Sequence, residues 1–289
     1  MADGREARQY LAEAEKKASQ PAGWFGLGGP KLEEAAELYQ RAGNSFKLNK
    51  LWKESGDAYM SQANILLRMN EKDEAATSFM NAAKSFKKSN PLESISALQS
   101  AVQILIEKGR FSAAASNQKQ IAETYENDVG DLKGARDAYE KAGEWYQGEE
   151  SHAQADACIL KAATFAGQLE DFEAAVSGFE DVASRCVDNK LTKWSMKEYF
   201  FKSGICLLNI GDLVRVRSSI DRYCGMDLQF HETRECKFIL ALADAIENGD
   251  VEAFTNAVVD YDRLTKLDSW KTTLLLRVKK SITEEEDLT

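Results

Sequence analysis

The chain has 289 residues, 29% of them charged and 44% hydrophobic, with a formal net charge of −10, enough for one large domain or two smaller ones with a sizeable core. The acidic balance disfavours general nucleic-acid binding, and no run of eighteen apolar residues is present to cross a membrane. The five cysteines are scattered without a CxxC pair and only two histidines occur, so reduced thiols of a cytosolic protein are expected, with no metal or other cofactor.

The opening MADGREARQYLAEAEKK lacks the apolar core of a secretory signal and reads as helix. The stretch 21–30 then interrupts with Pro21, Pro30 and four glycines, yet it carries Trp24, Phe25 and Leu27. Large apolar groups on a glycine-rich loop either tuck against the first helices or contact something outside the chain. A phosphate-binding reading fails, because no Gly-Lys-Ser or Gly-Lys-Thr and no preceding strand is found.

A repeat follows. AAELYQRAGNSF from Ala35, AATSFMNAAKSF from Ala75 and ARDAYEKAGEWY from Ala135 share small residues at positions one, eight and nine and aromatic ones at five and twelve. Weaker copies start at Ser55, Ala114, Ala155 and Ala175, roughly every twenty residues. Spacings of three, four and seven put these residues on one helical face, and alternating Ala or Gly with Tyr or Phe lets neighbouring helices approach closely. The pattern predicts an all-α, tetratricopeptide-like right-handed solenoid of antiparallel helix hairpins with a C-terminal helical bundle; an irregular bundle is the bland alternative. Helix ends are expected at 70–73, 89–91, 108–110, 127–131 and 147–148, with Asn90-Pro91 as a cap followed by a first-turn proline. The expected organisation is a repeat sheet over 1–187, the end of the solenoid and a closing bundle over 188–283, and an acidic tail over 284–289. Helices in the second part are expected at 192–210, 213–224, 232–248, 250–265 and 269–283.

Basic residues cluster at Lys190, Lys193, Lys197 and Lys202, with Arg234 and Lys237 at helical spacing and Arg110 at a turn. They form either a solvated face with ordinary salt bridges or a positive surface for an acidic partner. The tail Glu284-Glu285-Glu286-Asp287-Leu288-Thr289 follows an apolar-basic helix. It is either a solvating end or, through Leu288, an anchor for a basic partner. Neither histidine neighbours a recognisable nucleophile motif, so an enzyme is not expected.

The segments LDSWKTTLLLRVKK (267–280) with the end EEEDLT, and KEYFFKSGICLL (197–208), resemble the soluble NSF attachment proteins of the α-SNAP and Sec17 type. TRECK (233–237), YEKAGEWYQGEES (139–151), EKGRFSAAA (107–115) and AGNSFK (42–47) support the resemblance, which covers nearly the whole chain. It implies a cytoplasmic adaptor, peripherally associated with membranes, of which several copies coat the SNARE four-helix bundle and recruit and stimulate the hexameric ATPase NSF for SNARE disassembly in vesicle fusion. It implies SNARE contacts from a concave face, here Arg110, Lys193, Lys197, Lys202, Arg234 and Lys237. It places a membrane contact at Trp24, Phe25 and Leu27, and NSF binding and stimulation at Glu284, Glu285, Glu286, Asp287 and Leu288. Ser116 stands where family members often carry lysine, with another such position near Ala157, which leaves the middle of that face less positive. A generic tetratricopeptide-like scaffold that binds a peptide is the alternative function.

Overall fold

The computed structural model describes residues 4–20, 29–187 and 191–286. Within those residues the chain is all-α, and by contact it divides into two units, Met1–Ala155 and Asp156–Thr289. The expected division at residue 187 marks where the sequence signature fades, a different criterion from contact.

The first unit holds α1 (Arg5–Ala18), α2 (Gly29–Leu48), α3 (Trp52–Arg68), α4 (Lys72–Phe86), α5 (Pro91–Glu107), α6 (Phe111–Thr124) and α7 (Leu132–Gly148), with a π-helical turn Tyr125–Val129 after α6. Each helix packs against the next in sequence. The repeat positions do the packing: Ala35, Tyr39, Ala42 and Phe46, then Ala75, Phe79, Ala82, Ala83 and Phe86, then Ala135, Tyr139, Ala142 and Tyr146 are all buried. Small residues bring the helices close enough for rings to lie on backbone. A Cβ on Gly43 would stand 3.0 Å from the Tyr59 ring, and one on Gly56 would overlap the ring of Phe86. At the same closeness the buried Ser55 hydroxyl bonds the Gly43 carbonyl and the Ser85 hydroxyl, each at 2.9 Å, so this hydroxyl is satisfied between the helices.

The turns repeat as well. Lys50, Asn70, Gly109, Glu150 and Glu170 all have positive φ. In each case the next N–H bonds back to the carbonyl five residues earlier, as from Leu51 to Phe46 and from Glu71 to Leu66. One left-handed residue and this bond satisfy the free carbonyls of one helix and start the next. α5 departs from that rule and begins as its sequence suggests, with the Asn90 side chain accepting from the Leu92 N–H ahead of a helix opened by Pro91.

α8 (His152–Gln168) contains the boundary between the units in its first turn. The second unit continues with α9 (Phe172–Cys186), a 3-10 turn Lys193–Ser195, α10 (Met196–Ile210), α11 (Leu213–Met226), a 3-10 turn Phe230–Glu232, α12 (Arg234–Glu247), α13 (Val251–Leu264) and α14 (Ser269–Glu286). α10 is central, touching α9, α11, α12 and α14. Its core is aromatic: Phe200 stacks on Tyr223 and Phe238 on Tyr261, both with centroids 4.4 Å apart. Trp270 of α14 packs edge-on to Phe179 and donates its indole N–H to the Thr164 carbonyl at 2.8 Å.

Candidate protein-interaction site

The structure divides the basic candidates of the second unit into three environments. Lys193 lies on the 3-10 turn ahead of α10, not on the helix face of Lys197. It is exposed and has no ion pair among the described residues. Beside it Trp194 is 75% exposed while its indole N–H is held by the Leu191 carbonyl at 2.8 Å. Sequence reasoning passed over Trp194; the Lys-Trp pair next to Leu191 was the available signal.

The second environment joins α10 to α12. Lys197 Nζ stands 3.8 Å from Glu235, which also accepts from the Tyr261 hydroxyl at 3.3 Å. Arg234 lies over the Tyr261 ring, 5.0 Å from its centroid, and donates to the Tyr261 carbonyl and the Thr265 hydroxyl. That guanidinium therefore ties the start of α12 to the end of α13. Lys237 reaches Glu232 at 2.9 Å on the exposed side of α12.

Lys202 occupies the third. Five residues after Lys197 it points about 140° away around the helix, toward α9 and α14. It is half-buried, its ammonium 5.6 Å from the centroids of both Phe179 and Trp270, within cation–π range. Burial holds it below the usual lysine pKa, with Glu198 pulling the other way. Beneath it Lys271, only 8% exposed, bonds Glu198 at 2.7 Å and Asp268 at 2.9 Å. Burial alone would lower the Lys271 pKa, but those two carboxylates hold it above the ordinary range.

Arg110, in the first unit, stands at the N-cap position of α6 and pairs with Asp73 at 3.2 Å. The hydrogen bond from Lys108, with Arg110 adding to it, holds the Asp73 carboxyl below its usual range. Trp24, Phe25, Leu27, Asp287 and Leu288 lie outside the described residues, as do the side chains of Glu284, Glu285 and Glu286, whose backbone continues α14.

Four of the five cysteines are buried. Burial pushes Cys206 and Cys236 up to about 12, which leaves little thiolate for nucleophilic chemistry. Among the described residues no group of three or more His, Cys, Asp or Glu could hold a metal, and no helix is long and apolar enough to cross a membrane. What the site offers is charge and an aromatic side chain on a rigid helical frame, the chemistry of protein recognition.

The profile of the family described as soluble NSF attachment protein, SNAP, matches residues 5–283. The chain is similar to the alpha-soluble NSF attachment protein of Mus musculus, 41% identical over 98% of this chain and 97% of that one. It is similar to the vesicular-fusion protein SEC17 of Coprinopsis cinerea, 43% identical over the full length of both. It is also similar to the alpha-soluble NSF attachment protein of Vitis vinifera, 41% identical over the full length of both.

Proposed function

The chain belongs to the soluble NSF attachment protein family, and from that membership we propose that it is an adaptor that binds assembled SNARE complexes and recruits and stimulates the NSF ATPase. The observation that carries the reading is similarity at about 40% identity over both units, the C-terminal bundle included. A generic peptide-binding scaffold would account for the repeats of the first unit and leave the match of α10 and α14 unexplained, so it is not favoured. The adaptor works by binding and performs no catalysis of its own. It acts at membrane surfaces from the cytoplasm, several copies to one SNARE bundle.

Lys193, Lys197 and Lys237 are the SNARE contacts best supported by their exposure. Lys193 is unpaired among the described residues and Lys237 is held by the exposed Glu232, a pair worth little that an acidic helical bundle can displace at small cost; Lys197 keeps the largely buried Glu235 at 3.8 Å and offers its exposed ammonium beside it. Arg234 contributes by holding α12 and α13 in place, and Lys202 offers only the exposed edge of its ammonium. Arg110 is a contact of the first unit once it exchanges Asp73 for a partner carboxylate. Trp24, Phe25 and Leu27 form the membrane contact. Leu288, with the acids from Glu284 to Asp287 steering it to a basic surface, acts on NSF.

The test is SNARE disassembly with NSF and Leu288→Ala. The expected outcome is an assembled complex with normal SNARE binding, low stimulated ATP hydrolysis and slow disassembly. Disassembly at the wild-type rate would overturn the role of the tail, and failure of the wild-type chain to bind SNARE bundles would overturn the function. The loop is tested separately: Trp24→Ser with Phe25→Ser should slow disassembly on liposomes far more than in detergent.

A further inference from the structure

A groove of about 570 Å³ opens in the first unit over α3, where that helix lies against α2 and α4. Its floor is apolar, from Leu66 and Met69. Its rims are acidic: α2 presents Glu33 and Glu37 one turn apart, and α4 presents Glu74 beside Asp73. Asp73 is neutralised by Lys108 and Arg110, and Glu37 faces Arg41 loosely at 3.7 Å. Among the described residues Glu33 and Glu74 have no ion pair or side-chain hydrogen bond, and Arg110 is the only cation lining the groove.

Gln62 is the independent sign of a ligand. It lines the same groove, it is 93% buried with a relative exposure of 7%, and its side-chain amide makes no hydrogen bond among the described residues. Its amide atoms are not sealed from solvent, so they open into the groove and are available to a ligand's polar groups. A carboxamide carries an acceptor and two donors side by side, which matches the C=O and N–H of a peptide backbone. Small polycations present donors alone.

We infer that this groove binds a Lys- and Arg-rich segment of a partner polypeptide. Aliphatic side chains of the segment rest on Leu66 and Met69, its main chain pairs with Gln62, and its cations meet Glu33, Glu37 and Glu74. The partner is opposite in charge to the one that the cations of the second unit call for, so this inference stands apart from the contacts proposed there; Arg110 borders both surfaces.

The experiment uses the full chain and a fluorescein-labelled peptide alternating basic and aliphatic residues, followed by anisotropy at low salt. Saturable binding is expected. Glu33→Gln, Glu37→Gln and Glu74→Gln together should weaken it about tenfold, and Gln62→Leu, nearly the same size, about fivefold. The three exposed carboxamide substitutions should leave helicity unchanged and should not weaken SNARE-bundle binding, which separates this groove from the basic surface. Absence of saturable binding would overturn the inference. So would wild-type affinity in the triple variant, equal binding of an acidic peptide of the same length, or spermine binding as tight as the peptide's.

Discussion

Lys197 and Lys202 occupy one helix five residues apart, and their surroundings give them different work. Lys197 is exposed and loosely paired to Glu235; Lys202 is half-buried against two aromatic rings. Lys193→Glu, at a lysine with no ion pair among the described residues, should therefore leave urea stability within about 0.5 kcal/mol of wild type while weakening SNARE-bundle binding; Lys197→Glu sets a second carboxylate against the largely buried Glu235 and should cost more. Lys202→Glu should cost about 1–2 kcal/mol, because a carboxylate replaces a cation over ring faces. The sequence shows two equivalent lysines here, since the difference is made by Phe179 and Trp270, elements distant in the chain. Below them the Glu198–Lys271–Asp268 cluster sets an acid response. Burial would raise the Asp268 carboxyl, but the Lys271 N–H and ammonium outweigh it and hold its pKa below the ordinary range. The folded state thus binds that proton less readily than the unfolded chain. The stabilisation is present above the unfolded carboxylate pKa of about 4 and is lost as pH falls through the lower folded value. Acid titration followed by near-UV circular dichroism should show loss of the second unit's aromatic packing below about pH 4, with a shallower dependence in Lys271→Met.

At the scale of the helix, closeness is the device, and it depends on absent side chains as much as present ones. Gly56 sits where a methyl would enter the Phe86 ring, so Gly56→Ala should cost about 1–3 kcal/mol of overpacking, read from denaturant midpoints. The turns offer the opposite effect. Lys50 adopts φ of 60°, a conformation that strains a residue with a Cβ by about 1–2 kcal/mol. Lys50→Gly should raise stability by up to about 1 kcal/mol after the entropy of glycine in the unfolded chain is subtracted. The small-aromatic pattern made the packing face legible residue by residue: every signature position of the copies at Ala35, Ala75 and Ala135 is buried. Gly109 and Asn70 made two turns legible. Lys50, Glu150 and Glu170 carry no such mark, because hydrogen bonding between helices, and not their own preference, forces the left-handed conformation. The 3-10 turn before α10 was missed for a related reason: Lys193 and Lys197 keep helical spacing in sequence although their backbones do not share a helix.

For the whole molecule, the net charge of −10 makes the exposed cations of the second unit a local exception. Screening over roughly 8 Å at physiological salt predicts that SNARE binding weakens steeply as salt rises; binding indifferent to salt would point to an apolar contact, with Trp194 the first residue to substitute. The site was legible as residue types and not as an arrangement, because charge placement depends on which helices meet. The two units also differ in how far apart in the chain their partners lie. In the first, every helix finds its neighbour in the adjoining segment; in the second, Trp270 completes a bond to Thr164 across 106 residues. During synthesis the first unit can consolidate hairpin by hairpin as it leaves the ribosome. The second must hold an unfinished aromatic core until α14 is made, and a chain stopped at residue 268 should engage chaperones as a clientele that the chain carrying α14 escapes.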